Sequence, residues 1–363
     1  MSNADAGKYD KNMRVQHATL DGMDWYTVDT PGFQLDGLYW RKPGEPFRRL
    51  PDLPDLPDGV KAHATDTSGA MLRFKTNASE IRIHAKIGTN HRIFHMALTG
   101  SMGFDLYLGS GTAKHFYGAS RFLFEENEYN SVMFGPGEPQ KMREFTLHFP
   151  LYANPEYLRI GLTEGAVIEP PSPWKDPRPI VVYGTSIQQG ASATRPGMSY
   201  SNLMSRMMDR PFINLAFSGS ALGEPIMAQM VAEIENPAIF ILDYDANAHV
   251  DGLEKTLRNF IDTLREKHPE TPILQISRLP FGRDFKDVPE YTDDRYLYSK
   301  VHLDEVQRRR AAGDNNIHFV DGATLYGADP SDCMSDGCHS TDLGFYNIAQ
   351  RLVPIIERIL TLC

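Results

Sequence analysis

Arg178-Pro-Ile-Val-Val-Tyr-Gly-Thr-Ser-Ile-Gln-Gln-Gly190 decides how the chain is read. Ile180 to Tyr183 is a short apolar run, the signature of a parallel strand buried on both faces. Gly184-Thr-Ser186 follows at once, where the strand has to turn into a helix. A serine there sits at the carboxyl end of a strand, where open α/β sheets build their ligand crevices. Ser186 is the candidate nucleophile, although a serine in that position also serves simply as a helix cap.

Downstream, strand and helix patterns alternate. Strands are expected at Ile180–Tyr183, Phe212–Leu215, Ala238–Leu242, Pro272–Ile276 and Ile317–Val320. Between them Leu253, Leu257, Phe260, Ile261 and Leu264 fall on one helix face, and a last helix is expected over about Thr341 to Leu360. The pattern predicts a three-layer α/β/α domain of flavodoxin-like type with a parallel five-stranded sheet.

Upstream the texture is different. Met71-Leu-Arg-Phe-Lys75, Glu80-Ile-Arg-Ile-His-Ala-Lys86, Glu144-Phe-Thr-Leu-His-Phe149 and Leu158-Arg-Ile-Gly-Leu162 alternate apolar and polar residues, as half-buried antiparallel strands do. Turn clusters such as Leu50-Pro-Asp-Leu-Pro-Asp-Leu-Pro-Asp-Gly59 separate them. No strong helical period appears before about residue 190. The expected organisation is a mobile segment over 1–22, a jelly-roll-type β-sandwich over 23–170, a stiff proline-rich linker over 171–178, and the α/β domain over 179–363.

Length and charge narrow the function. A chain of 363 residues suggests two domains, and 41% apolar residues supply ordinary cores. A net charge of −10 disfavours a nucleic-acid surface. No apolar run reaches the roughly 20 residues that span a bilayer. The N-terminus lacks an apolar signal core, which leaves the compartment open: periplasmic or secreted if a leader has been removed, cytoplasmic otherwise. Three cysteines make no disulfide framework; Cys333 and Cys338 are close enough to bridge, with free thiols the expected state.

Four points of the second domain fit one chemistry. Ser186 is the first. Asn214-Leu-Ala-Phe-Ser-Gly-Ser220 ends a strand in a glycine turn, where the Gly219 N–H can approach a ligand. Leu242-Asp-Tyr-Asp-Ala-Asn-Ala-His249 leaves another strand end and carries the Asn247 amide to the same crevice. Asp336-Gly-Cys-His339 precedes the last helix. A histidine there can take the serine proton, and an aspartate three residues earlier can fix its tautomer. Each motif alone has a plainer reading as a cap or a turn. Their order, their placement at strand ends or sheet-edge loops, and their separate roles join them.

These blocks resemble the SGNH (GDSL-type) hydrolase superfamily over roughly 178–363. Gly103-Phe-Asp-Leu-Tyr107 resembles the Gly-x-Asp-Leu-Tyr motif of the esterase group with an N-terminal β-sandwich. The resemblance implies Ser186 as nucleophile, His339 as base and Asp336 as its orienting carboxylate. It implies an oxyanion hole from the Ser186 and Gly219 N–H groups and the Asn247 amide, with no metal or organic cofactor. Thr185 replaces the usual aspartate before the serine. Asp245 stands where the family usually has glycine, and, pointed inward, would disfavour anionic substrates. The implied activity is a serine carboxylic-ester hydrolase, expected to be a carbohydrate O-acetyl esterase acting on oligo- or polysaccharide such as xylan. Two alternatives stay open: a lipase or thioesterase-like hydrolase of longer acyl esters, and a catalytically inactive carbohydrate-binding protein.

Other residues divide between roles. Arg195 either binds substrate at the crevice rim or is a salt-bridged anchor. His249 either lines the pocket or stands by. His91 and His95 have i, i+4 spacing, but Arg92-Ile-Phe94 reads as a strand, so no metal site is expected. Asp105 is expected to tie the two domains together, and Glu224 to serve the start of a helix. Arg308-Arg-Arg310 reads as a solvated helix end.

Overall fold

In the computed structural model, residues 6–15, 17–90, 93–285 and 295–362 are described. One antiparallel sheet of the N-terminal half has the order β1 (Met23–Thr27), β9 (Ala153–Thr163), β4 (Ile81–Asn90), β7 (Glu128–Phe134). The other runs β10 (Ile168–Glu169), β3 (Met71–Thr76), β8 (Arg143–His148), β5 (Asp105–Leu108), β6 (His115–Ala119), with β2 (Gln34–Asp36) also on β3. Together they make the β-sandwich.

The alternation holds where one face meets water. In β4, Ile81, Ile83, Ala85 and Ile87 are buried in the sandwich core while Arg82, His84 and Lys86 are only partly covered. It fails in β3 and β8, where Arg73, Thr146 and His148 are buried as well. The second face of this sheet is covered. Arg73 pairs with Asp36 and donates to the Ser172 carbonyl, and its guanidinium lies over the Trp174 ring. The proline-rich linker is therefore packed down on the sheet, with the Ser172 hydroxyl donating to Glu144 at 2.7 Å.

Two helices interrupt the strands: α1 (Asp58–Ala64) and the single turn α2 (Leu98–Ser101). A helix of seven residues makes barely two turns, too few for an apolar period to show in sequence. Leu50, Leu56, Val60 and Ala64 join the hydrophobic core of the α/β half, not that of the sandwich.

The C-terminal half is a parallel sheet with order β12 (Phe212–Ala216), β11 (Ile180–Gly184), β13 (Ile239–Asp243), β14 (Ile273–Ile276), β15 (Ile317–Val320). All residues of β11, β12 and β13 are buried, as unbroken apolar runs require. On one face Ile180 and Val182 share a core with α3 (Ser186–Gln189), α4 (Tyr200–Met208) and α8 (Asp342–Leu362). On the other, Val181 and Tyr183 pack with α5 (Pro225–Ala232), α6 (Asp245–Lys267) and α7 (Arg295–Ala311). Leu253, Leu257, Phe260, Ile261 and Leu264 of α6 all lie in that core.

Candidate active site

The register of the sheet sets the site. Gly184 of β11 pairs with Ala216 of β12 on one side and with Asp243 of β13 on the other. Ser186, Gly219 and Asn247 follow these residues by a few positions, so three loops leave the same sheet edge side by side.

Ser186 opens α3 behind a capping box. The Thr185 hydroxyl serves the Gln188 backbone, and Gln188 Oε1 accepts from the Thr185 N–H at 2.8 Å. This answers the replacement of aspartate by threonine: the cap is kept with a neutral side chain. As the first residue of α3, Ser186 has no carbonyl one turn earlier for its N–H. Gln188 Nε2 donates to the buried Asp243 at 2.5 Å, tying the turn to β13.

The sandwich half braces this turn. The Tyr152 hydroxyl donates to the Ser186 carbonyl at 3.2 Å, and the Ser68 hydroxyl to the Gln189 carbonyl at 2.6 Å. Gln189 in turn donates to Asp66 and accepts from the Ser218 N–H, which joins the serine turn to the glycine turn. The polar parts missed in sequence are thus spread over distant segments, each with an ordinary local role.

His339 and Asp336 come from the loop before α8. Asp336 Oδ1 accepts from the Cys338 and His339 N–H groups at 2.9 and 2.8 Å, closing a tight turn. Gly337 lies in the left-handed region at φ 84°, which a side chain would disfavour. The loop aims both functional atoms. Ser186 Oγ lies 2.9 Å from His339 Nε2, and His339 Nδ1 lies 2.8 Å from Asp336 Oδ2. Burial works to raise the Asp336 pKa, but the His339 and Cys338 hydrogen bonds outweigh it and hold the carboxyl at about 2. It is therefore ionised, as an imidazolium partner requires.

Gly219 sits in the turn after β12 at φ 65°, with open space where a Cβ would stand. Asn247, half-buried, lies in the first turn of α6. His249 is exposed and kinks that helix at φ 56°. Asp245 does not face the crevice. It is fully buried, accepts from the Arg278 N–H at 2.8 Å, and lies 3.4 Å from His302 Nε2.

Arg195 occupies the anchor position. Its guanidinium donates to Asp105 at 2.8 Å and to the Tyr107 hydroxyl at 2.5 Å, and stacks on Phe116. Asp105 joins the halves as expected, through Arg195 and through the Gly197 N–H. Glu224 stands at the N-cap position of α5 without a side-chain cap, and its carboxylate accepts from the Tyr183 hydroxyl. Cys333 and Cys338 are both free thiols.

His91 lies outside the described residues. His95 does not face a metal site of its own; it lies against the triad. Donor atoms of His95, Asp336 and His339 fall within 4.8 Å of one another. The two imidazoles, however, are stacked, with centroids 4.5 Å apart and their planes inclined by only 11°. A ligand lone pair lies in the ring plane, so one ion cannot be in the plane of both rings. The arrangement suits proton handling better than coordination.

With this geometry in view, comparison with known proteins is decisive. Residues 177–357 match the GDSL-like lipase/acylhydrolase family, and residues 23–168 match the Gly-x-Asp-Leu-Tyr N-terminus of SGNH-hydrolase-type esterases. The chain belongs to the SGNH (GDSL-type) hydrolases. It is an esterase of that group, with the Gly-x-Asp-Leu-Tyr sandwich before the catalytic fold. A protein from Bacteroides ovatus described as a GDSL-like lipase is 29% identical, with a TM-score of 0.84, over 93% of this chain and 98% of its own. A salicylyl-acyltransferase from a tetracycline biosynthetic pathway shares the fold at TM-score 0.75 and 17% identity, over 94% of this chain and 98% of its own. A family two carbohydrate esterase from Cellvibrio japonicus shares it at 0.63 and 13%, over 93% of this chain and 98% of its own. No curated protein matches the chain.

Proposed function

We propose that this SGNH esterase cleaves O-acetyl groups from a carbohydrate, through an acyl-enzyme on Ser186. The observation that carries the serine mechanism is the unbroken hydrogen-bonded chain from Ser186 through His339 to Asp336, at 2.9 and 2.8 Å.

In this mechanism Ser186 Oγ attacks the ester carbonyl carbon while His339 Nε2 takes the hydroxyl proton. Asp336 holds the Nδ1 proton and balances the imidazolium charge. The carbonyl oxygen becomes an oxyanion, met by the Ser186 and Gly219 N–H groups and the Asn247 amide. Each such donor is worth about 3–4 kcal/mol of barrier. Collapse expels the sugar alkoxide, which takes the proton from His339. Water then enters, gives a proton to His339 and attacks the acyl carbon; collapse breaks the bond to Ser186 Oγ, which takes the proton back from His339 as acetate leaves.

Two considerations support a neutral sugar ester. The chain carries a net charge of −10, which repels polyanions. Neighbours of the same two-part fold, from Cellvibrio japonicus and Clostridium thermocellum, are carbohydrate esterases by name. A second reading, hydrolysis of longer acyl esters, is favoured by the Bacteroides ovatus protein described as a lipase. Acetate release from acetylated xylan, set beside p-nitrophenyl acetate, butyrate and octanoate, separates the two. Deacetylation of xylan with a steep fall beyond acetate supports the carbohydrate reading. Inert xylan with rates that rise to octanoate overturns it in favour of the second.

A further inference from the structure

His95 belongs to the sandwich half, in the loop between β4 and α2, yet its ring lies flat on the ring of His339. Three contacts fix it there. Its Nδ1 is 2.5 Å from Ser192 Oγ, its Nε2 is 3.7 Å from Asp336 Oδ2, and its face covers His339. Only 8% of the side chain is exposed.

A pair of serines joins His95 to the triad loop: the Ser335 hydroxyl donates to Ser192 Oγ at 2.8 Å and lies 3.3 Å from the His339 carbonyl, and Ser192 Oγ shares a hydrogen bond with His95 Nδ1. Ser192 itself is held at φ 73°, an uncommon region for a non-glycine residue that persists where the surroundings enforce it. Ser335 also lies in the triad loop, where its N–H donates to the His339 carbonyl at 2.9 Å. The chain Ser335–Ser192–His95 therefore closes back on the histidine that it supports.

We propose that His95 is a positioning residue for the esterase reaction: supplied by the β-sandwich, it clamps the plane of His339 and shields the His339–Asp336 pair. The proposal rests on the assignment of Ser186, His339 and Asp336 as the triad. The titratable groups that face His95 are His339 and Asp336. Burial, joined by the nearby His339, holds the His95 pKa below the ordinary histidine value, against the pull of Asp336. A neutral ring offers its π-face to the imidazolium formed when His339 takes the serine proton. A charged one would oppose that step. The clamp also gives the sandwich a part in catalysis beyond holding the two halves together.

The test compares wild type, His95→Ala, His95→Phe and Ser192→Ala with Ser186→Ala and His339→Ala. Hydrolysis of p-nitrophenyl acetate is followed from pH 5 to 9, with each rate divided by the number of sites that react with a fluorophosphonate. His95→Ala is expected to lower kcat per reactive site about tenfold or more, the scale of a misaligned catalytic group, with KM within about twofold. The acid limb of its kcat profile is expected to move to lower pH, because the imidazolium loses the π-face that favours it. His95→Phe keeps the stacked face and should recover most of kcat. Ser192→Ala, which frees the ring, should fall between them. A variant that merely misfolds loses reactive sites but keeps kcat per site and its pH profile, and that outcome overturns the proposal. So does a His95→Ala protein equal to wild type while Ser186→Ala and His339→Ala are dead. If those two remain active, the triad assignment fails first.

Discussion

Asp105 Oδ2, at the start of β5 in the sandwich, accepts a hydrogen bond from Arg195 Nη1 of the α/β half at 2.8 Å. The same carboxylate takes the Gly197 N–H and the His148 Nδ1–H, and it is completely buried. The aspartate of the Gly-Phe-Asp-Leu-Tyr motif is thus a fastener between the two halves, ten residues downstream of His95.

Removing that carboxylate leaves Arg195 and His148 without their buried partner. Asp105→Ala is expected to cost about 3–5 kcal/mol, the scale of a broken buried pair, measured by urea unfolding at pH 7. Burial alone would raise the Asp105 pKa, but His148 and Arg195 outweigh it and hold it below the usual aspartate value. A depressed carboxyl stabilises above the unfolded-state value of about 4 and loses that contribution as pH falls through the folded-state value. The gap between wild type and variant should therefore shrink below about pH 4. A gap independent of pH would show that the charge is not what matters.

Arg49 is a second fastener, and an unusual one. Its fully buried guanidinium donates to the carbonyls of Asp66, Ala216 and His63, with no carboxylate among these acceptors. Arg49→Met would strand these buried carbonyls, each at about 1–3 kcal/mol. A total loss above about 3 kcal/mol is expected in chemical denaturation. Because Ala216 leads into the Gly219 turn, kcat should fall as well, even at temperatures where the variant is fully folded.

The fold was legible where one physical signal dominates. Ile180–Tyr183 is apolar throughout because β11 is covered on both faces, and the helix face from Leu253 to Leu264 repeats often enough to be seen. Of the candidate site, the sequence pattern offered four motifs, three at strand ends and one before the last helix, and the structure brings Ser186, His339 and Asp336 of these into hydrogen-bond contact. What sequence did not show is packing between distant segments. Met71–Lys75 reads as half-exposed, since nothing local says that Trp174 will cover Arg73. Asp58–Ala64 is too short to reveal a period. His95 invites comparison with His91, its neighbour in sequence, whereas its actual partner is His339.

The donors at the three loop ends make separable predictions. Asn247→Ala is expected to lower kcat about 10²–10³-fold with KM little changed, the usual cost of one oxyanion donor. Gly219→Ala meets no atom, since a Cβ there has open space, so its cost to stability is only the roughly 1–2 kcal/mol of a left-handed alanine. Its kcat should nevertheless drop as the N–H turns away. Steady-state kinetics with p-nitrophenyl acetate, beside thermal melts, checks both.

Asp336→Asn keeps the shape of the turn but replaces an acceptor by an amide that can donate to His339 Nδ1. The proton then sits on Nε2, the wrong atom to receive one from Ser186. A fall in kcat of about three to four orders of magnitude is expected. In the wild type, a carboxyl held at about 2 stays ionised across the assay range, so no limb of the pH profile between pH 5 and 9 should belong to it. A variant within tenfold of wild type would contradict this role.

The most direct measurement is mass spectrometry of the intact protein quenched within the first turnovers on p-nitrophenyl acetate at pH 5, followed by peptide mapping. The account predicts a mass gain of one acetyl group, placed on the peptide that carries Ser186, absent in Ser186→Ala and trapped poorly in His339→Ala. An acetyl group on any other residue, or full turnover by Ser186→Ala, would contradict it.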